Sequence, residues 1–199
     1  MLSVQSDLLQ ALAKLRSITE AQQMRFATAK ALTSTAYAVQ REVKANMPSR
    51  FTLRRNWIVQ GIRVERATKQ NLEAMVYSRD KFMRLQEEGG GKNPARNYIA
   101  VPTRAVKRTK TDIIRKSDRP AALGDKAEVV DYNGHKWLAL KKARKGANKG
   151  GQLRLLYLLV PRAQIDQRLG LNKDGQRVAR AVFRAELQKA LADAVRTAR

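Results

Sequence analysis

The stretch "AEVVDYNGHKWLAL", Ala127 to Leu140, decides the fold. Asn133 and Gly134 both tolerate the positive φ of a type I′ turn, so the stretch predicts a hairpin that pairs "EVVDY" with "HKWLAL". Downstream, "LRLLYLLV" (Leu153 to Val160) is apolar at nearly every position and predicts the most buried strand. Upstream, "YIAVPT" predicts another strand. Earlier still, from Asn56, Ile58, Gln60, Ile62 and Val64 alternate with Val59, Gly61, Arg63 and Glu65. That period of two suits a strand with one face partly wet. "LEAMVYS", Leu72 to Ser78, reads as its partner, and Asp80 sits where an N-cap would stand before the short turn "KFMRLQEE".

Outside these strands the period becomes helical. Phe26, Ala29, Leu32, Ala36, Val39 and Val43 recur at spacings of three and four, one face of an amphipathic helix. Met47-Pro48 is expected to end it, because the residue before a proline is pushed out of the α region. Ser17-Ile18-Thr19-Glu20 fits a capping box, with Leu8, Leu12 and Leu15 on a shorter helix before it; the pair reads as one kinked helix or two. At the other end Ala179, Phe183, Leu187, Leu191 and Ala194 form one stripe. The expectation is a single α+β domain over 1–199: a helical region at 1–47, an antiparallel meander within 56–160, and a C-terminal amphipathic helix at 176–197.

Composition narrows the chemistry. The 199 residues contain no cysteine, which excludes disulfides and thiolate metal sites. Lys and Arg number 41 against 17 acids, a formal charge of +24 that points to nucleic acid or an acidic protein surface. The N-terminus has polar interruptions and no basic lead-in, unlike a signal peptide. The longest apolar run, "LLYLLVP" at Leu155 to Pro161, is far short of a membrane span. A soluble protein made in the cytoplasm, with no membrane partner, is therefore expected. Two segments resist the helix-and-strand scheme and read as basic loops: Arg104–Lys126, with eight basic and three acidic residues, and Lys141–Gly151, with five basic residues and no acid. Lys107, Arg108, Lys110, Arg115 and Lys116 in the first, and Lys141, Lys142, Arg144, Lys145 and Lys149 in the second, are the candidate contacts to DNA or an acidic partner.

An enzyme reading finds little footing. His135 is the only histidine and lies just after the hairpin turn, where a solvated strand residue is the ordinary explanation. No G-x-S-x-G, Walker loop or H-E-x-x-H is present. Glu87 and Glu88 are adjacent, so their side chains diverge and do not form a facing acid pair. The Glu42-Val-Lys44 triplet has no acidic companion at a sensible spacing for two-metal chemistry. The expected answer is no catalysis and no cofactor. Nor is any nucleic-acid reader motif present, although the lysine-rich glycine loops could track a phosphate backbone with Trp137 or Tyr157 stacking on bases. Trp57 and Trp137 fall in expected strands, where core packing explains them.

"SRFTLRRNWIVQGIRVERATKQNLEAMVYSRDKFMRLQEEGG", Ser49 to Gly90, resembles the front half of tail-completion proteins of long-tailed bacteriophages. These are the minor tail protein Z-like family and a related tail-component family. The resemblance runs through "VKANMP", "FTLRRNW", "GIRV", "LEAMVYS" and "QEEGG", and continues with "IAVPTR", "YLLVPRAQI" and the C-terminal helix. The two basic segments fall outside it. It implies a non-enzymatic α+β subunit of the virion neck or head-proximal tail. Such a subunit acts as a homo-oligomeric ring, usually a hexamer, beside the tail terminator, tail tube or head connector. Under it, Gly89, Gly90 and Gly91 are expected to act as a flexible hinge, freeing residues 92–126 to reach a neighbouring subunit. Glu87 and Glu88 are then expected to meet basic residues of the next protomer, the alternative being an ordinary surface corner. The runner-up is a non-specific DNA-binding protein of phage or prophage origin.

Overall fold

A computed structural model describes residues 3–142 and 152–197. In chain order it runs α1 (Ser3–Arg50), α2 (Trp57–Gln60), β1 (Ile62–Glu65), β2 (Met75–Ser78), α3 (Phe82–Glu88), β3 (Gly90–Lys92) and β4 (Ile99–Pro102). It continues through α4 (Pro120–Leu123), β5 (Glu128–Tyr132), β6 (His135–Lys142), β7 (Gln152–Val160), β8 (Ala163–Ile165) and α5 (Leu171–Thr197). The fold is α+β, as expected. The chain divides into two compact units: the first is built from residues 1–87 and 168–199, the second from residues 88–167.

In the first unit α1 and α5 lie antiparallel. Val39, Val43 and Met47 pack with Leu169 and Val178 at one end, and Ala27 and Ala31 with Ala190 and Ala194 at the other. At the alanine end the four methyls are buried together, with Phe183, Leu187 and Leu191 packed against them. Ion pairs bracket this packing: Lys30 Nζ to Asp193 Oδ2 at 2.8 Å and Arg177 Nη2 to Glu42 Oε1 at 2.6 Å. The short antiparallel pair β1–β2 adds Ile62, fully buried, to the same core.

Several boundaries differ from the sequence reading, each for a local reason. Helix α1 is continuous through Ser17–Glu20, so no helix begins there, and the alternative of two helices is ruled out. It also runs past Met47-Pro48 to Arg50. Met47 is fully buried, and its carbonyl accepts the Phe51 N–H at 2.9 Å, so packing overrides the steric push of the proline. Residues 57–60 form one helical turn instead of the start of a strand. Met75–Ser78 pairs only with Ile62–Glu65, so the residues before Ile62 have no strand edge and close their bonds locally, as from Gly61 N–H to Trp57 O at 2.9 Å. Trp57 is consequently exposed, resting edge-on against Phe82 with ring centroids 5.9 Å apart, and is not the core residue expected. Asp80 provides no side-chain cap to α3; its backbone carbonyl accepts the Met83 N–H, and its buried Oδ2 has no partner.

The second unit holds a four-stranded antiparallel sheet in the order β4-β7-β6-β5 and a separate pair β3–β8. The expected single meander is thus three small sheets across the two units. The β5–β6 turn falls on Asn133 (φ 50°) and Gly134 (φ 73°), as the Asn-Gly signal requires. Strand β7 is central, with Leu156 and Tyr157 almost wholly buried. Arg104–Lys126 is not an open loop. Val106 and Leu123 are buried against Leu156 and Tyr157, and Lys107–Arg115 folds as a small hairpin.

Candidate functional site

The first basic segment is a built surface. Arg108 and Ile114 form an antiparallel bridge, closed by Thr109 N–H to Ile113 O at 2.8 Å and Arg115 N–H to Lys107 O at 3.2 Å. Ile114 packs on the core of the unit, and Arg108, on the same face, is half-buried with its guanidinium 3.5 Å from the Asp112 carboxylate. Alternation then puts Lys107 and Arg115 opposite one another on the other, solvent-facing side. Like charges directly opposite on a strand pair destabilise it, so this pair is a cost unless an anion offsets it. Among the described residues, neither side chain has an ion-pair partner, and Lys110 and Lys116 are exposed nearby in sequence.

Three hydrogen bonds fix the hairpin to the rest of its unit. The Asp118 carboxylate accepts the Lys107 N–H at 3.1 Å, the Asp118 carbonyl accepts the Tyr157 hydroxyl at 2.6 Å, and Arg154 donates to the Ala105 carbonyl. Burial pushes the Tyr157 hydroxyl above its ordinary range, and the Asp118 charge adds to this, so it remains a donor. Tyr157 is therefore a structural pin, and its expected role as a base-stacking platform is overturned by its burial. Trp137 is half-buried on β6 and donates its indole N–H to the Tyr132 carbonyl at 3.0 Å.

Two glycines of the acid-glycine corner, Gly90 and Gly91, lie in β3. Gly89 and Gly90 take φ values of 72° and 117°, and a Cβ on Gly91 would meet the Arg162 guanidinium. Gly90–Lys92 pairs with Ala163–Ile165, and the next strand, Ile99–Pro102, joins β7 in the same unit. Residues 92–126 thus fold into their own unit, and the expected departing arm is not seen. Glu87 is half-buried and faces its own chain, accepting the Leu171 N–H at 2.7 Å and the Asn172 N–H at 2.9 Å. It caps the N-terminus of α5, where the unpaired amides and the helix dipole favour a carboxylate. Glu88 is exposed, and its backbone carbonyl accepts the Gln167 side-chain amide at 2.9 Å.

Beside that cap lies a site the sequence reading missed. Asp174, in the first turn of α5 and 4% exposed, receives Arg50 through both oxygens (2.7 and 3.1 Å) and Asn46 at 3.0 Å. Burial alone would raise its carboxyl, but the hydrogen bonds from Arg50 and Asn46 and the charges of Arg50 and Arg177 outweigh this and hold it below the ordinary value. The only signal for it was an acid one turn into a helix, too common to single out. Of the second basic segment, Lys141 and Lys142 lie at the end of β6, while Arg144, Lys145 and Lys149 fall outside the described residues. No group of three or more His, Cys, Asp or Glu that could hold a metal occurs among the described residues. No helix among them is long and apolar enough to cross a membrane. Comparison with protein families, curated proteins and solved structures finds no match to this chain.

Proposed function

We propose that this protein is a non-enzymatic structural subunit of a long-tailed phage, completing the tail and joining it to the head as part of a neck ring. One observation carries the reading. The phrases similar to tail-completion proteins follow in order along the chain, and they coincide with element boundaries. "VKANMP" falls at the end of α1, "GIRV" enters β1, "LEAMVYS" ends in β2, "QEEGG" turns from α3 into β3, and "YLLVPRAQI" turns from β7 into β8. A likeness tied to turns and boundaries reflects a shared architecture better than one scattered over surface positions. The charge is compatible with a ring only beside anionic neighbours, since six copies at +24 each would repel strongly.

Removing the gene from the phage or prophage that encodes it, and imaging the lysate by electron microscopy, tests the proposal. Filled heads beside separate, full-length tails are the expected result. Intact normal particles, or a gene residing outside any phage genome, would sink it.

The solvent-facing Lys107–Arg115 pair favours a second reading, non-specific DNA binding by a protein of phage or prophage origin. Salt titration separates the two. A protein whose main task is DNA binding loses affinity with a steep log–log salt slope, and Lys107→Glu with Arg115→Glu lowers that slope by about 2, at ~0.9 per phosphate contact. A joining protein retains particle assembly in the same variant.

A further inference from the structure

We infer that the first unit carries a docking groove for an acidic, amphipathic peptide segment of a partner protein. The groove lies between α1, α5 and the approach to β2 and has a volume of about 610 Å³. Its walls are apolar: Leu32, Ala36 and Val39 of α1, Val76 of β2 and Phe183 of α5. Its lining on α5 extends from Leu171 to Arg184, which at 1.5 Å per residue is about 20 Å of helix. An elongated apolar channel beside two antiparallel helices suits a peptide laid along it, in the manner of a helix docking its apolar face.

The rim states the charge of the occupant. Arg180 and Arg184 line the groove one helical turn apart, and both are exposed. Among the described residues neither has an ion-pair partner, whereas Arg177, on the same helix, is paired with Glu42. Residues at i and i+4 lie about 6 Å apart, the separation of two acids one turn apart on an incoming helix. Apolar side chains of the partner would fill the channel while its carboxylates meet the two guanidinium groups. A second copy of this chain fits less well. Acids are few, and in the exposed apolar-acidic stretch Glu128–Tyr132, Asp131 is already held by Lys136 at 3.1 Å. The inference does not depend on the virion assignment.

The test is selection from a displayed library of random peptides of about 14 residues, the length that spans ~20 Å as a helix. The full-length protein is the bait. Enriched peptides are expected to combine apolar residues at i, i+3 or i+4 with Asp or Glu. Their affinity should fall at least tenfold for Arg180→Glu with Arg184→Glu, and likewise for Ala74→Trp, which narrows the channel. Lys107→Glu with Arg115→Glu should leave them bound. Arg180 and Arg184 are exposed, so unchanged helical circular dichroism is expected for their variant. No enrichment would overturn the inference. So would peptides that lack acids, that bind the groove variants undiminished, or that depend on Lys107 and Arg115 instead.

Discussion

Asp174 holds together one end of the first unit: it joins α1 to α5 through Arg50 and Asn46. Its carboxyl titrates below the ordinary value of 3.8, so the folded protein prefers the ionised form. Its stabilising contribution is complete above that value and is lost as pH falls through the depressed one. Asp174→Ala should therefore flatten the acid limb of the stability–pH curve. At neutral pH it should cost about 3 kcal/mol, the low end of the ~3–5 range for breaking a buried pair, because the Arg50 side chain is 26% exposed and recovers some hydration. Urea melts at pH 3 and pH 7 would check both. Glu87 and Glu88, which look alike in sequence, separate by experiment. Glu87→Ala removes the cap of α5 and should cost about 1–2 kcal/mol in chemical denaturation, as helix caps do. Glu88→Lys, exposed and outside that cap, should shift the melting midpoint less than Glu87→Ala does, since contacts of an exposed charge are worth only about 0–1 kcal/mol. It is the cleaner probe of subunit contact.

At the scale of elements, legibility followed the strength of local chemistry. The Asn133-Gly134 hairpin could be read because its turn demands positive φ at two successive residues, which few pairs supply. The helical stripes could be read because their period is long and repeated. Residues 57–60 misled because a period of two is necessary for a strand but not sufficient: pairing needs an edge, and β2 offers only four residues of one. Strands β3 and β8 were missed because three residues carry no pattern and glycine argues against a strand. The basic segment at 104–126 hid its packing because its buried anchors, Val106 and Leu123, and the flanking Ala105 and Ile114 are too unevenly spaced to show a period. Within the candidate site the charges were legible, but their division into inward Arg108 and outward Lys107 and Arg115 depends on a bridge of one residue pair. The alanine seam makes its own demand. Ala190→Leu places three further carbons in the buried cluster it forms with Ala27, Ala31 and Ala194, and overpacking of this kind should cost about 1–3 kcal/mol. Thermal melts that show no loss would mean that α1 and α5 part freely there.

For the molecule as a whole, the second unit is an insertion. The chain enters it after Glu87 and leaves it before Arg168, and its two ends are paired through β3 and β8. In the first unit, the Arg168 and Leu169 amides both donate to the Gln86 carbonyl, at 2.8 and 3.0 Å, so the departure and return points are neighbours there too. Replacing residues 88–167 with a short glycine linker should leave a helical protein that melts cooperatively. A non-cooperative melt in circular dichroism would show that the first unit depends on the second.

The same insertion sets a timetable during synthesis. About 120 residues separate the end of α1 from the start of α5, so at roughly 5–20 residues per second the ribosome needs ~6–24 s to bring out the helix on which α1 packs. Throughout that interval the apolar stripe of Val39, Val43 and Met47 is nascent surface, open to chaperones or to an identical chain on a neighbouring ribosome. The second unit, contiguous in the chain, emerges complete while the first still waits, so it is α5, translated after that unit, that closes the fold of the first.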